Sequence, residues 1–187
     1  MGRSKALLPV GTGGPTFVQR LADTLRRGGV DDLLIVGRPE DEALRTAAGA
    51  LSPGVRFVEN RHAAEGQLSS IVTAINVIDH PGVRGLLVVP VDQPLVASST
   101  VSELIRRYSE CDVPLARASY RGLHGHPVIF SRRLFDELRR ADRNVGAKEV
   151  VRRHRDAILE VDVDDEGVVL DVDDPEAYRR LFGVELP

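Results

Sequence analysis

A short apolar run broken off by a carboxylate constrains this chain more than any other stretch: Gly85-Leu86-Leu87-Val88-Val89-Pro90-Val91-Asp92-Gln93-Pro94. Consecutive aliphatic residues bounded by turn residues read as a strand buried on both faces, the pattern of a parallel sheet. Asp92 then falls at the strand's C-terminal edge, where open α/β sheets place their ligands. A carboxylate there can hold Mg²⁺ against phosphate oxygens, because a hard cation takes hard oxygen ligands. The same Asp92 could begin the turn that Pro94 completes, since Asp and Pro are ordinary turn residues. The stretch alone does not choose; its surroundings do.

Strand-like runs alternate with helical patterns along the chain. After the loop Gly11-Thr12-Gly13-Gly14-Pro15, residues Phe17, Val18, Leu21, Ala22 and Leu25 recur at helical spacing, and Gly28-Gly29 closes that helix. Leu33-Leu34-Ile35-Val36 reads as a strand, 41–50 as a helix, and Val55-Arg56-Phe57-Val58-Glu59 as a strand running into Asn60. Ile71, Val72, Ala74, Ile75 and Ile78 form the stripe of a further helix, with Ser69 and Ser70 in its first turn. Free backbone N–H groups and the helix dipole favour an anion there, although serine is also simply a good N-cap.

Beyond Asp92, Ser98-Ser99-Thr100 is expected to cap a helix through Val101, Leu104, Ile105 and Tyr108, followed by a strand over 113–118. Arg121-Gly122-Leu123-His124-Gly125-His126-Pro127 reads as a loop feeding a short strand, Val128-Ile129-Phe130. Helices are expected over 134–138 and 147–154. Asp165-Glu166-Gly167 reads as a hairpin turn with solvent-facing carboxylates. Asp171 and Asp173, two apart, would share one face of a strand, and either could supply a second metal carboxylate. Asp174-Pro175-Glu176 opens the last helix. This alternation predicts a three-layer α/β/α fold around a mostly parallel sheet, in a single domain over 1–187.

Several functions are disfavoured. A net charge of −3 gives no basic face for nucleic acid. The arginine pairs, such as Arg106-Arg107 and Arg139-Arg140, fall in helical stretches and read as solvated faces or helix ends. The single Cys111 forbids an internal disulfide and points to a reducing cytoplasm. No apolar run approaches the roughly 18 residues that cross a bilayer, and the start lacks the apolar core of a signal peptide. A cytoplasmic protein without membrane or nucleic-acid partners is expected. No P-loop motif is present, no G-x-G-x-x-G follows a strand, and His124 and His126 are not spaced as zinc ligands.

Laid out in this order, the chain resembles the MobA-like nucleotidyltransferases, and among them the MocA-type molybdenum-cofactor cytidylyltransferases. Met1-Gly2-Arg3-Ser4-Lys5-Ala6-Leu7-Leu8-Pro9 is similar to the end of that family's opening motif, R-M-G-x-x-K-x-L-L-P. Asn60 with Gly66-Gln67-Leu68-Ser69-Ser70 resembles its nucleotide-side segment, and Asp92-Gln93-Pro94 its metal-binding D-Q-P. Gly125-His126-Pro127-Val128-Ile129-Phe130 resembles the G-H-P-V-L-F strand of its cofactor-binding half. Val145-Gly146-Ala147-Lys148 and Asp171-Val172-Asp173-Asp174-Pro175 are similar to its G-A-[RK] turn and D-I-D-T-P close. The family's first strand, central in its sheet, and most of its glycine-rich loop have no counterpart in these residues. The resemblance therefore implies an N-terminally incomplete domain, with poor stability and little or no catalysis if these residues are all there is.

The resemblance implies a Rossmann-like fold of the nucleotide-diphospho-sugar transferase type, and transfer of a cytidylyl group from CTP, or another NTP, to the terminal phosphate of molybdopterin. It implies Lys5 and Asp92 as catalytic residues, with Mg²⁺ held by Asp92 and Asp173. Asn60, Gly66, Gln67, Ser69 and Ser70 would lie at the nucleotide, and Gly125, His126 and Pro127 at the acceptor. A molybdenum hydroxylase would receive the product. Two alternatives stay open: a nucleotidyltransferase for another phosphorylated acceptor such as a sugar phosphate, and an inactive nucleotide- or cofactor-binding protein serving a molybdenum oxidoreductase.

Overall fold

The computed structural model describes residues 4–51 and 54–186. Six strands and seven helices alternate through most of it: α1 (Phe17–Arg27), β1 (Leu33–Gly37), α2 (Glu42–Gly49), β2 (Val55–Glu59), α3 (Gln67–Ile78), β3 (Gly85–Val88), α4 (Ser98–Glu110), β4 (Leu115–Tyr120), β5 (Leu123–Ser131), α5 (Phe135–Arg140), α6 (Lys148–Arg153), β6 (Ile158–Asp162) and α7 (Pro175–Phe182). No helix among the described residues is long and apolar enough to cross a membrane.

The period of two along the strands decides the layers. Leu86, Val88, Leu115, Val128, Phe130 and Ile158 point to one face and pack with Leu68, Ile71 and Ile75 of α3 and with Phe135, Leu138 and Val150 of α5 and α6. Their neighbours Leu87, Ala116, Ile129 and Leu159 point the other way and pack with Leu104, Ile105 and Tyr108 of α4. With helices on both faces, β1 and β3 are apolar throughout, which is why those runs read as continuous rather than alternating.

The sheet is mixed. β1 and β2 pair in parallel, and a second ladder runs β3-β5-β4-β6 with β5 antiparallel to both neighbours and β4 parallel to β6. Between the two ladders Leu34, Ile35 and Val36 of β1 and Leu86, Leu87 and Val88 of β3 line one cavity of about 1330 Å³. Among the described residues neither strand has a ladder partner on that side, so the sheet is divided in two.

Several local expectations are corrected. The segment Leu123 to Pro127 is strand rather than loop, because β5 continues along β4 to the pair Tyr120↔Leu123. Its register shifts between Arg117↔Val128 and Ser119↔His124, so Gly125, His126 and Pro127 bulge out of the ladder, where the missing N–H of proline does no harm. The peptide bond His126–Pro127 is cis.

Asp165 does not begin a hairpin. Residues Glu166–Val169 make a 3₁₀ turn. The Asp165 carboxylate is not solvent-facing: it accepts hydrogen bonds from Ala97 N (2.8 Å), Thr100 Oγ1 (2.6 Å) and Gly167 N (3.0 Å). Helix α4 is thus capped from across the chain, with Ala97 at the N-cap and no cap from Ser98 or Ser99. The 3₁₀ turn is wedged tightly. A Cβ on Gly125 would stand 1.9 Å from Val168 O, and one on Gly167 2.4 Å from Leu95 O, so only glycine fits at either place.

Asp171 and Asp173 lie on no assigned strand. Their chain is nonetheless tied alongside the central loop, because Val172 N donates to Asp92 O at 2.8 Å.

Candidate active site

Lys5 stands in a short 3₁₀ turn, Lys5–Leu7, whose Ala6 is buried together with the following Leu8. The turn is pinned where it continues. Leu8 O accepts from Phe17 N at 2.8 Å, and Pro9 O accepts from Tyr178 Oη at 2.8 Å. Phe17, Tyr178 and Phe182 stack with centroids 4.7 to 6.3 Å apart, so α7 clamps the start of the chain to α1. Helix α7 is itself capped by Asp174, which accepts from Ala177 N at 2.7 Å. The residue before that cap is Asp173, and the same clamp therefore brings Lys5 and Asp173 together.

Lys5 Nζ lies 3.0 Å from Asp173 Oδ1 and 3.9 Å from Asp92 Oδ2. The three groups expected to carry metal and charge chemistry thus converge at the C-terminal edge of β3. Burial pushes the Asp92 carboxyl above the usual carboxylate range, and the Lys5 ammonium draws it part of the way back. Among the described residues no side-chain hydrogen bond reaches the Asp92 carboxylate; a backbone hydrogen bond and the Lys5 ammonium act on it.

Asp171 faces a different partner: Gln93 Nε2 donates to Asp171 Oδ1 at 2.6 Å. Gln93 is buried, and its Oε1 has no protein hydrogen-bond partner. Of the two acidic candidates for a second metal carboxylate, Asp173 is the one that pairs with Lys5, while the charges of both Asp171 and Asp173 act on Asp92. His126 emerges from the β5 bulge; burial holds its imidazole below the usual histidine range, and the charge of Asp171 opposes that. His124 turns away to Glu160, 2.9 Å distant, on the next strand but one.

Asn60, expected at the nucleotide, is 1% exposed, its two amide protons donated to Ser69 Oγ (2.8 Å) and Ser70 Oγ (3.0 Å) and its Oδ1 accepting from His62 N at 2.8 Å. Asn60 N also donates to Gly37 O at 2.7 Å, tying the ends of β1 and β2. The physical reason is saturation: a buried amide with every proton placed builds a loop rather than meeting a ligand. Gly66, at φ 89°, is the N-cap of α3, and Gln67 is its first residue. Ser69 Oγ donates in turn to Gly66 O at 2.7 Å. Both serines thus sit in the first turn as expected, held there by Asn60. Helix α3 has no side-chain cap; at its start Gly66 N donates to Ala63 O (3.3 Å) and Ser69 N to Gly66 O (3.1 Å).

Among the described residues no group of three or more His, Cys, Asp or Glu side chains could hold a metal. Two carboxylates suit Mg²⁺ all the same, since that ion keeps several waters and takes substrate phosphates as its other ligands. The Lys5 ammonium between Asp92 and Asp173 shows that a cation is accommodated there. The positioning roles of Gln93, Asp165 and Tyr178 carry no sequence signal beyond the D-Q-P motif for Gln93; each is set by a contact tens of residues away.

The family described as "MobA-like NTP transferase domain" matches residues 1–158. No curated protein matches the chain. Among solved structures, Rv0371c of Mycobacterium tuberculosis H37Rv, crystallised as a complex with manganese, is 31% identical over 98% of this chain and 94% of that one, with a TM-score of 0.78. Molybdopterin-guanine dinucleotide biosynthesis protein A of Archaeoglobus fulgidus is 16% identical over 97% of this chain and 90% of that one, TM-score 0.70. CMP:2-keto-3-deoxy-manno-octonic acid synthetase complexed with CTP is 12% identical over 96% and 90%, TM-score 0.71. At such identities the last two show a shared fold alone.

Proposed function

We propose, since this chain belongs to the MobA-like NTP transferase domain family, that it moves a cytidylyl group from CTP to the terminal phosphate of the molybdopterin cofactor. An acceptor phosphate oxygen attacks the α-phosphorus of CTP, the bond from that phosphorus to the β-phosphate oxygen breaks, and pyrophosphate leaves. Positioning and charge neutralisation carry such a reaction more than covalent catalysis. The observation that carries the reading is the convergence of Lys5, Asp92 and Asp173 at the C-terminal edge of β3.

Asp92 and Asp173 would hold Mg²⁺, which when bound neutralises charge on phosphate oxygens. Lys5 neutralises charge on the triphosphate. The first turn of α3, with Gly66, Gln67, Ser69 and Ser70, lies at the nucleotide, and Asn60 fixes that turn from beneath. His126, neutral and projected by the β5 bulge, faces the acceptor, while Gly125 lets the 3₁₀ turn press against the bulge. A molybdenum hydroxylase is the expected recipient of the product.

The divided sheet favours a second reading, binding without turnover. Asn60 follows one ladder, and Asp92 and His126 belong to the other. Among the described residues no ladder joins the two halves of the site, and small misplacements between them cost much rate. The deciding experiment is pyrophosphate release with Mg²⁺ and molybdopterin cofactor, comparing CTP with GTP and ATP. Release with CTP supports the transferase; saturable CTP binding without release leaves the binding protein; release with CTP only when a sugar phosphate replaces the cofactor moves the acceptor.

A further inference from the structure

Lys5 does not stand beside the carboxylate pair; it stands on it. Its ammonium is 3.0 Å from one carboxylate and 3.9 Å from the other, which is the place a divalent cation bridging Asp92 and Asp173 would take. The backbone beneath is fixed by Ala6, Leu8 and the α7 clamp, yet the four-carbon stem of lysine can swing its charge by several ångströms. We infer that Lys5 is a displaceable counter-ion, competing with the metal for Asp92 and Asp173 and passing to the triphosphate when the metal arrives. The inference rests on the metal reading given above.

Three physical requirements meet in this arrangement. Without metal, the like charges of Asp92 and Asp173 are held by the Lys5 ammonium, 3.9 Å from the first and 3.0 Å from the second. A divalent ion bound to the same two oxygens would lie within a few ångströms of the ammonium, and two cations so close repel strongly. A metal arriving with a nucleotide brings phosphate oxygens that repay Lys5 for the contacts it leaves, whereas a metal arriving alone must evict it for nothing. Metal and nucleotide therefore bind cooperatively in the natural protein, and Lys5 is the residue that couples them.

The test is Mn²⁺ titration of the full chain at neutral pH, following the electron paramagnetic resonance signal of free Mn²⁺, with and without CTP. Without nucleotide, Lys5→Met should bind Mn²⁺ about tenfold more tightly than the natural protein, because the competing charge is gone. Lys5→Arg, which keeps the charge, should bind as weakly as the natural protein. CTP should tighten Mn²⁺ binding in the natural protein and do so far less in Lys5→Met. Unchanged or weaker Mn²⁺ binding by Lys5→Met overturns the inference, and so does undetectable binding by both proteins. Asp173→Asn separates the two levels. If it abolishes Mn²⁺ binding while Lys5→Met has no effect, the metal reading stands and the competition fails; if it leaves Mn²⁺ binding intact, the metal reading itself is wrong.

Discussion

Asn60 and Asp92 lie on the same edge of the fold, each just past the end of a strand, yet their surroundings are opposite. Asn60 is buried with both amide protons and its carbonyl oxygen committed to Ser69, Ser70 and His62. Asp92 keeps 28% of its side chain exposed and has the ammonium of Lys5 at 3.9 Å. A polar group that is satisfied by its own chain builds architecture; one that is partly desolvated and left with open oxygens is available to an ion or a substrate. The same motif-level resemblance covers both residues, and only the hydrogen-bond accounting separates the builder from the reactant.

That contrast can be broken by substitution. Asp92→Ala should cut metal-dependent turnover on the order of a thousandfold, since a lost metal ligand removes several kcal/mol of transition-state stabilisation. Its far-UV circular dichroism and melting should stay near those of the natural protein, and activity within a few-fold of normal would show that Asp92 is no ligand. Asn60→Ala should behave the other way round. It strands His62 N and the half-buried hydroxyls of Ser69 and Ser70, so denaturant unfolding should reveal a loss of about 2 kcal/mol. If that variant is as stable as the natural protein, Asn60 is not the knot described here.

Two smaller effects sharpen the picture of what merely supports the site. Asp165→Ala removes the remote cap of α4 and should cost about 1 kcal/mol in the same measurement. Asp79 accepts from Arg139 Nη2 and Arg132 Nε, each at 2.8 Å, and these bonds hold its carboxyl below the usual range. A carboxyl depressed in the folded state stabilises above its unfolded pKa, and that stability is lost as the pH falls through the folded one. Asp79→Asn should therefore melt slightly lower than the natural protein at pH 7, with the difference fading as the pH drops below the ordinary carboxylate value. A gap that persists in acid would assign the effect to packing instead.

How far these features were legible depended on how local their causes are. The stripes of α1 and α3 and the aliphatic runs of β1 and β3 follow from periodicity, and Ser69 and Ser70 fell in the first turn of α3 as their spacing predicted. The cap of α4 was misread because its donors and the Asp165 carboxylate are 65 and 68 residues apart, and Ser98-Ser99-Thr100 offered a plausible local substitute. The β5 bulge was misread as a loop because glycine, histidine and proline say turn, while the pairing with β4 that overrides them is not written in β5 itself. Asp171 and Asp173 could not be told apart by spacing. Gln93 and Lys5, each arriving from elsewhere in the chain, make one a hydrogen-bond acceptor and the other an ion partner.

The most direct test of the account is to locate the metal. Crystals grown with Mn²⁺ and a CTP analogue that cannot release pyrophosphate should give an anomalous scattering peak between the carboxylates of Asp92 and Asp173, with Lys5 turned off them toward the phosphates. A peak at any other place, or one at the pair with Lys5 still bound to Asp173, would contradict the site as drawn here.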